Sequence, residues 1–124
     1  MTMKALEAAD QAEPTERAAL AAAACMFRSL GDPTRLVIVQ HLALGEHRVV
    51  DLTAHLGLAQ STVSSHLACL KDCGLVDSRP VGRASVFSLA RPELFALLAA
   101  AETLLAATGD AVVLCPVSGE QAIS

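Results

Sequence analysis

Apolar residues recur at helical spacing in a long block near each end of the chain and at shorter intervals between them. Leu20, Ala23, Ala24, Phe27 and Leu30 share one face of a helix that Pro14 and Thr15 open and Gly31 stops. Asp32 then reads as an N-cap with Pro33 in the first turn, and Leu36, Val37 and Val39 or Gln40 carry a second helix through Leu44 to Gly45. A short apolar-polar helix from Val49 to Leu56 ends at Gly57, and after Ala59 a serine-rich helix begins at Gln60 and runs to Gly74. Two short helices joined by a glycine-containing turn predict a helix-turn-helix in which the second helix is the reader. Leu75 to Arg79 and Ala84 to Leu89 are short extended runs around Pro80-Val-Gly-Arg83, which predicts a β-hairpin, or wing.

Pro92 opens another helix, in which Leu94, Leu97, Leu98, Ala101, Leu104 and Leu105 recur while Ala99, Ala100, Ala106 and Ala107 keep the other sides small. Such a helix needs partners on more than one face. The expected fold is mainly α with a small β-hairpin, a winged helix-turn-helix that is homodimeric through its first and last helices. Residues 1–13 read as a flexible arm, 14–108 as the DNA-binding and dimerisation domain, and 109–124 as a tail that is mobile except around Cys115.

Composition narrows this picture. With 124 residues, 53% of them hydrophobic, the chain makes one domain, and three Phe with no Trp or Tyr leave an aliphatic, alanine-rich core suited to helices. No apolar run has the length of a membrane span and no basic segment precedes an apolar one, so the expectation is a cytoplasmic protein without membrane contact. The net charge of −4 argues against indiscriminate nucleic-acid binding, yet residues 48 to 91 hold Arg48, Lys71, Arg79, Arg83 and Arg91 against Asp51, Asp72 and Asp77. This surplus of basic groups marks the middle of the chain as the DNA face. There Gln60, Ser61, Ser64 and Ser65 turn partly away from the core and can hydrogen-bond phosphates or base edges, and Arg79 and Arg83 on the wing can serve phosphates or the minor groove.

The serine-rich helix also carries Cys69 and Cys73, four residues apart and so stacked on one helix face. With Val63, Leu67 and Leu70 on the core side, that face lies about 100° away from it, which separates the pair from core packing. In a cytoplasmic chain, four cysteines favour reduced ligands or packed thiols over a disulfide framework. Two soft donors on a DNA-reading helix suggest a metal-controlled switch. Cys25, between Ala24 and Met26 on the apolar first helix, reads as packing and stays outside the core site, although a fourth-ligand role is left open; His41, His47 and His55 are scattered at no ligand spacing.

Taken together, Leu30-Gly-Asp-Pro-Thr-Arg35, Val50-Asp-Leu-Thr-Ala-His-Leu-Gly57, Ser61-Thr-Val-Ser-Ser-His-Leu67 with Leu70, Gly74-Leu-Val76, and Gly82-Arg83 before Phe87-Ser-Leu89 resemble the ArsR/SmtB family of winged-helix metal-sensing repressors, over about residues 15 to 108. Cys69-Leu-Lys-Asp-Cys73 resembles its cadmium/lead-sensing subgroup, in which a cysteine from the C-terminal region completes the site; Cys115 is the candidate here, its reach leaves its own and the partner's recognition helix both open, and the resemblance favours the partner's. The family's zinc site on the last helix has no counterpart, since no His lies between Pro92 and Thr108, and Val49 and Val50 stand where another subgroup carries Cys-Val-Cys. His66 matches the family's Ser-x-His-Leu pattern, which implies a structural or DNA-facing role rather than ligation.

Three thiolates select Cd(II) or Pb(II), whereas Zn(II) fits less well because a tetrahedral zinc site takes a fourth donor. From Gly109 to Cys115 an extended chain reaches on the order of 20 Å. The resemblance implies a dimeric repressor that holds a palindromic operator when metal-free and releases it when Cd(II) or Pb(II) binds Cys69, Cys73 and Cys115. A thiol-based redox sensor built on the same cysteines is the alternative. A thiol enzyme would need a positioned base and a pocket, and only His66 is near in sequence.

Overall fold

A computed structural model describes residues 14–114. In chain order the elements are α1 (Pro14–Leu30), α2 (Pro33–Ala43), β1 (His47–Arg48), α3 (Val49–Leu56), α4 (Gln60–Asp72), β2 (Val76–Val81), β3 (Ala84–Leu89) and α5 (Glu93–Ala107). Every helix expected from the sequence is present, and the punctuation follows capping chemistry. The Asp32 carboxylate accepts a hydrogen bond from the Arg35 N–H at 3.0 Å, with Pro33 in the first turn of α2.

At the end of α4 the Gly74 N–H bonds the Lys71 carbonyl at 2.9 Å and the Leu75 N–H bonds the Leu70 carbonyl at 3.0 Å. This is a Schellman closure with Gly74 in the left-handed region at φ 76°. It turns the chain from the helix into β2 and holds Cys73 at the helix C-cap.

The core lies where α2 meets α3, α4, α5 and the sheet. Ile38, Val39, Leu52, Val63, Leu67, Leu70 and Val76 are fully buried, with Leu42, Leu75, Leu94 and Leu98 around them. Val63, Leu67 and Leu70 are thus the inward face of α4, as their spacing predicts.

The sheet is antiparallel in the order β1-β3-β2. Two details differ from expectation. Pro80 and Val81 continue β2, pairing with Ser85 and Ala84, so only Gly82 and Arg83 form the turn, with Gly82 at φ 61°. Proline is tolerated there because β2 is an edge strand. The two-residue β1 pairs His47 with Phe87 and Arg48 with Val86, and a segment that short carries no period-two signal.

Beyond α5 the chain does not run free. Leu114 donates its N–H to the Glu102 carboxylate at 2.6 Å, Gln40 donates to the Val113 carbonyl at 2.9 Å, and Leu114 shares an apolar hollow of about 260 Å³ with Phe27, Leu30 and Leu105. Residues up to Leu114 are therefore docked on the helical body. Cys115 lies outside the described residues, as do the N-terminal arm 1–13 and the rest of the tail. Leu20, Phe27 and Leu104 remain 60%, 62% and 66% exposed, which leaves apolar surface on α1 and α5 uncovered in one protomer.

Candidate thiol site and nucleic-acid interface

Cys69 and Cys73 are both half-buried and face the C-terminal half of α1. There Ser29, 1% exposed, puts its hydroxyl 3.3 Å from the Cys69 Sγ and 3.0 Å from the Cys73 Sγ. Cys25, one turn before Ser29, forms a disulfide with Cys73 at a Cα separation of 6.1 Å.

This corrects two expectations. The cysteines include a disulfide pair, and Cys25 is not merely packed. Its spacing from Cys73 is 48 residues, so only the tertiary approach of α1 to α4 reveals the pairing. Ser29 also escaped the sequence reading, because a serine at the end of an apolar helix carries no signal of its own. As half of a disulfide, Cys73 has no S–H, so the Ser29 hydroxyl donates to it and the Cys69 thiol donates to the Ser29 oxygen.

A single arginine ties this cluster to the reading helix. Arg35 donates from Nε to the Ser29 carbonyl at 2.7 Å and from Nη2 to the Arg28 carbonyl at 3.1 Å, satisfying acceptors at the C-terminus of α1. Its Nη1 lies 3.2 Å from the His66 Nδ1 on α4. Guanidinium can only donate, so in this contact the His66 nitrogen is the acceptor. The His66 Nδ1 is also 4.0 Å from the Asp32 carboxylate, a pairing that would need a protonated ring; the shorter contact to Arg35 governs. His66 therefore braces α4 against α2.

Arg35 and its backbone N–H hold the Asp32 carboxyl below the usual carboxylate range, the backbone hydrogen bond being the largest cause. A depressed folded-state value means that this contribution to stability is full above the unfolded pKa, about 3.9, and disappears as pH falls through the lower folded value. Thermal melts of wild type and Asp32→Asn should accordingly differ most at pH 5 to 7 and converge in strong acid. A gap independent of pH would assign the effect to the side-chain geometry alone.

Toward the N-terminal half of α4, Gln60, Ser61, Ser64 and Ser65 are all exposed. A cleft of about 350 Å³ separates this face from the wing and is bordered by Arg48, Gln60, Ser64, Arg83 and Ser85. Arg83 sits at the hairpin tip and meets no carboxylate among the described residues. Arg79 does: it grips Glu46 through Nε at 3.0 Å and Nη2 at 2.8 Å, lowering the Glu46 pKa. The wing thus presents one open arginine and one already paired.

His41, His47 and His55 are not scattered. α2, β1 and α3 gather their rings to centroid separations of 5.3 to 6.1 Å. Among the described residues, however, no group of three or more His, Cys, Asp or Glu side chains stands ready to hold a metal ion. For the thiols the reason is chemical, since Cys25 and Cys73 are joined to one another.

Residues 32–78, from the N-cap of α2 into β2, match the family described as bacterial regulatory protein, arsR family. A probable mercury resistance operon repressor of Streptomyces lividans is 39% identical over 98 residues, covering 77% of this chain and 78% of that protein. The chain belongs to the ArsR family. The Mycobacterium tuberculosis regulator CmtR is 45% identical over 73 residues, 59% of this chain and 62% of CmtR. Its solved structure, described as that of a cadmium metal-sensor, superposes with a TM-score of 0.53 at 43% identity over 61% of this chain and 79% of that one. A homodimeric winged helix-turn-helix DNA-binding domain from Mycobacterium bovis gives a TM-score of 0.67 at 31% identity, covering 76% and 92% of the two chains.

This ArsR-family chain is therefore a transcriptional regulator with a winged helix-turn-helix, not an enzyme. The thiol-enzyme reading falls with that assignment. No helix among the described residues is long and apolar enough to cross a membrane.

Proposed function

We propose that this ArsR-family regulator is a homodimeric repressor that holds a two-fold operator while metal-free and releases it when Cd(II) or Pb(II) is bound by Cys69, Cys73 and Cys115. The observation that carries the reading is the convergence of Cys69 and Cys73, on the recognition helix, upon the buried Ser29 of α1. The names of the Streptomyces and CmtR relatives, which specify mercury resistance and cadmium sensing, support it.

The donor chemistry fits a soft cation: two-electron reduction of the Cys25–Cys73 bond by a thiol reductant frees two thiolates beside Cys69, and Cys115 is the further donor that the family resemblance suggests. Such a cation supplies a bond that ties thiolates on separate elements together. Zn(II) suits a three-sulfur set less well. Cys69 and Cys73 sit at the end of α4, and Ser29 and Arg35 form a continuous chain of contacts from them to His66 in its middle. A changed sulfur environment therefore acts on the placement of the helix that presents Gln60, Ser61, Ser64 and Ser65 to DNA. Typical couplings of this kind are about 1–3 kcal/mol, or 5- to 150-fold in affinity.

In the dimer the uncovered apolar surfaces of α1 and α5 meet, and two α4 helices face successive major grooves. Arg83 contacts phosphate or the minor groove; Arg79 does so only after leaving Glu46. Glu46→Gln should then steepen the fall of log affinity with log salt by about one unit per protomer, measured by anisotropy across a salt series. An unchanged slope would place Arg79 off the DNA.

The reading is tested with reduced protein on a labelled operator. Cd(II) should release wild type, and Cys69→Ser should bind DNA equally well but resist release. Release that persists in Cys69→Ser would overturn the metal site. The disulfide favours a second reading, in which oxidation of the thiols releases DNA. Peroxide-driven release in the presence of a metal chelator would support that reading over the first.

A further inference from the structure

We infer that Cys25 is itself a ligand of the thiolate site, so that a soft cation bridges α1 to the recognition helix within one protomer. The inference rests on the metal reading above and adds a donor from the dimerisation helix to it. Cys25 and Cys73 are already close enough to bond, with Cα atoms 6.1 Å apart, and Cys69 meets Cys73 through the shared Ser29 hydroxyl. Three sulfurs from two helices thus gather in one cluster, Cys25 on Cys73 and Cys73 beside Cys69 across one hydroxyl.

Two thiolates on a zinc-sized tetrahedral centre, with metal–sulfur bonds of about 2.3 Å, stand about 3.8 Å apart, and a larger soft cation holds them somewhat wider. That separation is open to a reduced pair whose backbones already permit a disulfide, by rotation about Cα–Cβ alone. Ser29, buried between the helices, offers an O–H to stabilise the sulfur charge.

The placement of the tail strengthens the case for Cys25 within the protomer. Leu114 docks beside Phe27 and Leu30, and on a helix these lie about 200° around from Cys25 and about 100° from Ser29 respectively. The described end of the tail is thus on a different side of α1 from the thiols. Cys25 already stands at the thiols. The disulfide and the metal are then alternatives: joined as cystine, Cys25 and Cys73 offer no thiolate.

The test is an anaerobic Cd(II) titration of the reduced full chain, following the ultraviolet sulfur-to-metal charge-transfer band in wild type, Cys25→Ser, Cys69→Ser and Cys115→Ser. Cys25→Ser should lose one thiolate's share, roughly a quarter to a third of the band, while circular dichroism and dimer mass stay unchanged. A Cys25→Ser band equal to wild type, with Cys69→Ser diminished, would overturn the inference and leave the metal reading standing. Absence of any band in wild type would sink both.

A measurement without substitutions covers the case of a variant that fails to fold. N-ethylmaleimide labelling of the wild type, read by peptide mass, should find Cys25 protected by Cd(II) alongside Cys69 and Cys73. Labelling of Cys25 at the metal-free rate in the loaded protein would overturn the inference equally.

Discussion

A protein carrying Phe27→Asp together with Leu104→Asp should sediment as a monomer and bind its operator about 100-fold more weakly or worse. Both side chains are more than half exposed, on α1 and α5, while the core formed by Ile38, Leu52, Leu67 and their neighbours does not include them. Introducing carboxylates there costs the isolated protomer little, yet in a dimer it buries like charges at the apolar contact. The loss on DNA follows from bivalency, since two recognition helices bound as one unit gain an effective local concentration that separate protomers lack. Analytical ultracentrifugation and anisotropy on the same samples check both parts. A variant that remains dimeric would move the interface away from α1 and α5.

Cys73→Ser should abolish the response to Cd(II) and to peroxide together, leaving metal-free DNA binding intact. Cys73 is the residue shared by both chemistries: it is disulfide-bonded to Cys25 and touches the Ser29 hydroxyl beside Cys69. Its backbone caps α4 through its N–H to the Cys69 carbonyl at 3.3 Å, a bond that serine retains. The fold should therefore survive and the loss be one of sensing. Release assays with each effector check this, and full retention of either response would show that the corresponding chemistry runs through other cysteines.

The helices and their ends were legible in the sequence because their signals are local: Asp32 with Pro33, Gly57 after Leu56, Gly74 after the Leu70 turn. The inward stripe of α4 followed from spacing alone, and so did its exposed serines. What could not be read was whatever depends on elements meeting. Cys25 looks like one more small residue on an alanine-rich helix until α1 lies against α4. Ser29, Arg35 and His66 form their chain only when α1, α2 and α4 come together. His41, His47 and His55 likewise gather because the tiny strand β1 sets His47 between two helices. Arg79 looked like a free wing cation because its partner Glu46 is 33 residues away.

The most direct measurement is anisotropy of the reduced wild-type dimer on a labelled operator during anaerobic titration with Cd(II), followed by addition of a chelator. The expected result is release at stoichiometric metal, with affinity at least about 5-fold weaker, and rebinding when the metal is withdrawn. Operator affinity that stays the same while Cd(II) demonstrably occupies the protein would contradict a metal-released repressor.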